Sequence, residues 1–203
     1  MANLSFQERR LLVLYRKFYG ANYPAVNGDN QNAHVKAQKM CYLLSLVGVG
    51  VGNYGFVWDQ FGPYSEEIQT LVHGLDENGT KVQEFYNQYP DGEVSDRVFF
   101  TNQSSIESLF RERDVFKIEN TRRKFDIQPD SDSPDEYGDT NMRRWTELLG
   151  SIAYISQSIL PGAGKEQLVE WLVLVKDKYC ESEETNRALQ ILDDMGLLTS
   201  INK

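Results

Sequence analysis

FVWDQFGPYSEEIQTLVHGLDENG, residues 56–79, decides how the rest of the chain is read. Phe56, Val57 and Trp58 are aromatic or β-branched and read as a short strand. Gly62-Pro63 reads as a turn. Ser65 is placed to cap a helix, with Glu66 and Glu67 in its first turn against the positive end of the dipole. Ile68, Leu71, Val72 and Leu75 recur at i, i+3, i+4 and i+7, which is the stripe of an amphipathic helix. Gly79 ends it.

Working towards the N-terminus, VGVGVGNYG (residues 47–55) is too rich in glycine to be helical at acceptable cost. Gly50, Gly52 and Gly55 match the letters of a dinucleotide-binding turn, with Asp76 as its acidic residue. That turn needs a strand before it and a helix after it. Here a helix precedes and a strand follows, so the segment reads as a loop. The preceding helix covers residues 33–47, with Ala37, Met40, Cys41, Leu44 and Val47 as its apolar stripe and Lys36 and Lys39 on another face. Residues 20–32 are turn chemistry. A first helix covers residues 5–18, with Ser5 as N-cap and Leu11, Leu14, Tyr15 and Phe18 inward.

Towards the C-terminus, residues 81–89 form a weaker helix and residues 94–101 alternate as a strand. A helix follows, capped by Ser104 or Ser105 and running to about Glu119. Between Asp126 and Asp139 there are six acidic residues and no basic one, which suits a solvated loop. The helix of residues 145–159 is broken by Leu160-Pro161-Gly162. Residues 166–179 are apolar almost all round, which predicts a helix buried on several sides. Ser182 caps a last helix with Ala188, Ile191, Leu192 and Met195 inward, and Gly196 terminates it. The expected fold is mainly α. It is a single helical domain over residues 1–203, with a small two-stranded element formed by residues 56–58 and 94–100. That order also suits a winged-helix-like arrangement.

Composition narrows the function. The net charge of −9 argues against nucleic acid, whose binding rests on neutralising phosphates. It favours a basic protein partner or simple solubility. No apolar run approaches the ~20 residues needed to cross a bilayer, and the N-terminus lacks the pattern of a signal peptide. Cys41 and Cys180 are read as buried free thiols, which suits a cytoplasmic location. Two histidines, His34 and His73, and two scattered cysteines do not make a zinc site. No catalytic residue, metal or cofactor is expected. Arg9, Arg10, Arg16 and Lys17, and a second run at Arg122, Arg123 and Lys124, are the material for a DNA-binding alternative.

Four segments together carry a resemblance. They are KAQKMCYLLSLVG (36–48), the opening stretch 56–79, RRWTELLGSIAYI (143–155), and LVEWLVLVKDKYCESEETNRALQILDDMGLL (168–198). The pattern is a K-x-Q-K-x-x-Y helix, here Lys36, Gln38, Lys39 and Tyr42, then an aromatic strand at Trp58. An F-G-P-Y-S turn follows at Phe61, Gly62, Pro63, Tyr64 and Ser65. It resembles the YwgA-like proteins of bacteria and phages and, more distantly, the Panacea antitoxin domain. The resemblance implies a small helical domain that binds and neutralises a protein partner, a toxin or defence protein, without catalysis of its own. An alternative is a phage or mobile-element inhibitor of host defence acting as an acidic mimic. Another is a winged-helix DNA-binding regulator.

The same turn supplies the candidate partner site. Trp58 and Phe61 bracket it, which leaves Tyr64 near the surface, and tyrosine suits binding hot spots. Lys36 and Lys39, at i and i+3 on one helix, are expected to rim that aromatic with charge.

Overall fold

The computed structural model describes residues 4–24, 30–88, 112–127, 141–176 and 183–199. Among these residues there are eight α-helices and one two-stranded sheet, so the protein is mainly helical. The helices are α1 (Phe6–Tyr19), α2 (Gln31–Leu46), α3 (Glu66–Glu77), α4 (Gly79–Gln88), α5 (Glu112–Lys124), α6 (Asn141–Tyr154), α7 (Lys165–Val175) and α8 (Glu183–Asp194). No helix among them is long and apolar enough to cross a membrane.

Local chemistry accounts for the helix ends. Ser5 and Glu8 form a reciprocal capping box, the Ser5 Oγ accepting from Glu8 N at 3.2 Å and Glu8 Oε2 accepting from Ser5 N at 2.6 Å. Two of the donors that every helix start leaves orphaned are thereby satisfied. Asn30 caps α2 by accepting from Ala33 N at 3.3 Å. Ser65 holds the N-cap position of α3, yet its hydroxyl donates to Glu67 Oε2 at 2.5 Å instead of capping the backbone.

α2 is the axis of the core. Twelve successive residues, from Ala33 to Leu44, are buried, so this helix is enclosed on every side. α6 packs along it, α1 and α3 flank it, and α8 lies on α6. This corrects the expectation for the C-terminal apolar segment. α7 buries only Leu168 and Leu172, while Leu174 is 82% and Val175 42% exposed. α6 passes through a π-helical turn at Ile155–Ile159 before the chain reaches Pro161. A π turn offsets the face that follows it by a fraction of a turn.

The sheet also differs from the expected pairing. β1 (Val57–Asp59) runs antiparallel to β2 (Gly62–Tyr64), with Val57 opposite Tyr64, Trp58 opposite Pro63 and Asp59 opposite Gly62. Gly62-Pro63 is therefore strand, and the turn is Gln60-Phe61. Residues 94–100, expected as the partner strand, lie outside the described residues, as do Cys180 and most of the acidic segment 126–139. Gly62 is required here twice over. Its φ is +89°, and a Cβ on it would come within 2.5 Å of Ser151 Oγ on α6. The hairpin is thus clamped hard against α6.

Candidate functional site

Residues alternate sides along a strand, and this sorts the five predicted site residues. Asp59 and Tyr64 share one face of the hairpin; Trp58 and Pro63 take the other. Trp58 turns towards α6 and α7, stacking edge-on to Trp171 at 5.2 Å between ring centroids and tilted against Tyr154 at 5.9 Å. Tyr64 turns towards α2 and α3. There a pocket of about 420 Å³ opens between the hairpin and the two helices, bounded by Lys39, Phe61 and Tyr64 among others. The structure brings these three predicted residues together and leaves Trp58 and Lys36 outside the lining.

The lysines do not form a solvent-facing rim. Lys36 and Lys39 are both buried. Lys36 lies over the rings of Tyr19 and Tyr15 on α1, at 4.8 and 5.6 Å from their centroids. Lys39 points the other way and donates to the Pro63 carbonyl at 2.7 Å. α2 is enclosed all round, so a lysine at any position on its central turns must bury its stem. Burial holds the Lys39 amine down to about 7, against an upward pull from Glu147 and a further downward push from Lys176. Removing a charge from water costs more here than the nearby carboxylate returns.

Behind Lys39 lies a buried ion pair. Lys176 donates to Glu147 Oε1 at 2.5 Å and to the Gln60 carbonyl at 2.6 Å. It joins the end of α7 to α6 and to the hairpin turn. Arg143 on α6 donates to Asn32 Oδ1 at 2.9 Å and lies 5.0 Å over the Phe61 ring.

Deeper in, His34 Nε2 meets Asp76 Oδ2 at 2.7 Å, and the other Asp76 oxygen accepts from the Tyr23 hydroxyl at 2.9 Å. Gln69 bridges the two histidines: its amide nitrogen lies 3.4 Å from His34 Nδ1 and 2.8 Å from His73 Nε2. Gln38 holds Ser65 with both ends of its amide, at 2.8 Å to the backbone N–H and 2.8 Å to the carbonyl. The aspartate–histidine pair has the form that orients a general base. Among the described residues the only hydroxyl or thiol side chain in the pocket lining is the Tyr64 phenol. Among the described residues no three His, Cys, Asp or Glu side chains converge as a metal-ligand set. Cys41 lies in the core, and burial pushes its thiol up to about 12.

The sequence reading missed Asp59, His34, Gln38 and Gln69 as pocket residues. A signal existed for the interior ones. Asp76 falls on the same stripe of α3 as Val72 and Leu75, and a carboxylate on an apolar stripe calls for a buried partner. No family model, curated protein or solved structure matches the chain.

Proposed function

We propose that this chain is a protein-binding module of the neutralising, antitoxin-like kind, acting by occupying its partner rather than by chemistry on it. The observation that carries this reading is the pocket beside the hairpin. It is open to solvent and held between the hairpin, α2 and α3, and it places the half-buried rings of Phe61 and Tyr64 together at its edge. Aromatic groups beside a preformed cavity suit the anchor of a protein interface, because they bury area at little entropic cost. The internal bonding of Lys39, Gln38 and His34 supports the same reading. These side chains are committed to building the wall, which favours a shaped receptacle over a reactive centre. The resemblance of the K-x-Q-K and F-G-P-Y-S segments to neutralising proteins points the same way.

The test is a photo-crosslinking amino acid placed at Tyr64 in the chain's native cells, with a second placed at exposed Gln190 on α8 as control. One defined protein adduct is expected at position 64 and not at 190. That protein, expressed alone, is expected to arrest growth, and co-expression of this chain to relieve the arrest. Identical adducts at both positions, or a partner whose expression is harmless, would sink the proposal.

A further inference from the structure

The polar groups of the pocket divide into those already bonded and those still available. Lys39, Gln38 and the Nε2 of His34 are engaged with Pro63, Ser65 and Asp76. Gln69 spends its amide N–H groups on the two histidines, which leaves its oxygen as an acceptor. Asp59 and Gln31 are exposed at the mouth. The available set is thus a carboxylate, the Gln69 oxygen and the Gln31 amide, richer in acceptors than in donors, beside the Tyr64 ring. Two carboxylates act on that ring. After burial, Glu66 and then Asp59 push the Tyr64 phenol up. The neighbouring cations do not reverse this, because Lys176 is paired with Glu147, and Arg143 lies over Phe61 and is bonded to Asn32.

We infer that the pocket receives a basic side chain of the protein partner, an arginine guanidinium, paired to Asp59 and laid against Tyr64. A guanidinium is planar, carries five N–H donors and stacks on aromatic faces. Those properties match an acceptor-lined slot beside a tyrosine. The Lys39 amine, held down to about 7, loses much of its charge at neutral pH and so repels an incoming cation weakly. The whole-chain charge of −9 adds steering for a basic partner. This inference rests on the docking reading above for the source of the arginine.

The experiment titrates the full chain, labelled with nitrogen-15, with N-acetyl-arginine amide and with its neutral isostere N-acetyl-citrulline amide. The side-chain amide signals of Gln31 and Gln69 are followed. Saturable shifts are expected with the arginine compound, with affinity about threefold to fivefold weaker for the citrulline compound, as loss of an exposed charge pair of up to ~1 kcal/mol implies. Asp59→Asn, at an exposed position, is expected to weaken arginine-amide binding by a similar factor while the fold, followed by the rest of the amide spectrum, is kept. Glu184→Gln, outside the pocket lining, is expected to leave it unchanged. Equal binding of the two compounds, no saturation, or an Asp59→Asn protein that binds normally would overturn the inference. A Tyr64 crosslink that forms while the arginine arm fails leaves the docking reading standing and removes only the arginine. Arginine-amide binding without any crosslink removes the partner as its source.

Discussion

Lys39 carries an amine into the interior, and that has a measurable consequence. Its ordinary value of 10.5 falls to about 7 in the folded chain, chiefly through burial. Between those limits the unfolded chain holds a proton that the folded chain has released. Stability therefore rises with pH across that window, at ~1.4 kcal/mol per pH unit for one proton. Below about 7 both states are charged, and the cost of burial is felt in full. Cys41 works in the opposite sense. Its thiol is raised from 9.0 to about 12, so the unfolded chain ionises first and stability falls above pH 9. Urea unfolding between pH 7 and 9 isolates the lysine. Lys39→Met is expected to flatten the rise there, whatever it does to the absolute stability by leaving the Pro63 carbonyl without its donor. A slope equal to that of the parent chain would show that the amine does not titrate in this range. Gly62 gives a second prediction at this scale. Gly62→Ala meets both a positive φ and the Ser151 hydroxyl, and should cost about 1–3 kcal/mol. Ser151 Oγ is buried without a hydrogen-bond partner among the described residues, so Ser151→Ala costs little alone. In the double variant it should recover the steric part of the loss and not the backbone part.

At the scale of elements, α7 is the instructive case. LVEWLVLV is apolar at nearly every position, and such a run is expected to be enclosed. Among the described residues only one side is covered. Leu172 is fully buried, whereas Leu174, two residues on, is 82% exposed. Residues two apart on a helix point to different faces, so the two leucines test which face is core. Leu172→Ala should cost roughly 2–5 kcal/mol by the transfer and cavity terms together. Leu174→Ala should change stability by less than about 0.5 kcal/mol, as surface positions do. Chemical denaturation of both variants decides it, and equal costs would mean that α7 sits differently. The hairpin teaches a complementary point. Its register puts Trp58 and Tyr64 on opposite sides, so two aromatics read as one surface patch serve two purposes. Trp58 builds the wall between α6 and α7, and Tyr64 edges the pocket.

For the molecule as a whole, the Lys176–Glu147 pair joins parts of the chain far apart in sequence. Glu147 is fully buried and Lys176 nearly so, and the same ammonium reaches Gln60 across 116 residues. Breaking one partner of such a pair leaves an uncompensated charge inside, at a cost of about 3–5 kcal/mol. Glu147→Gln should therefore be strongly destabilising. Replacing both partners, as Glu147→Leu with Lys176→Met, should be milder than either single change. Thermal unfolding of the three variants checks this, and additive losses would mean that the two side chains do not act as a pair.

The sequence by itself determined the helical class, the positions of most helices, and the hairpin's first strand, because capping chemistry and apolar period are local properties. Ser5 and the stripe Ile68, Val72 and Leu75 act within a few residues of themselves, whereas the Asn30 cap, ahead of the expected start of α2 at Ala33, emerged only in the structure. The sequence also grouped Lys36, Lys39, Trp58, Phe61 and Tyr64, through a motif running from Lys36 to Ser65, and of these Lys39, Phe61 and Tyr64 meet at the pocket. Tertiary structure decided burial where the local pattern did not, on α2 and α7. Lys36 and Lys39 read as a charged rim beside Tyr64 because lysine usually keeps its amine at the surface, but α1, α3 and α6 close around α2 and leave no wet face on its central turns. Leu174 read as core because leucine usually is, but the described residues put nothing over it. His34 found Asp76 at 42 residues' separation, and Lys176 found Glu147 at 29. Pairings of that kind depend on how helices pack against one another, which no local period encodes.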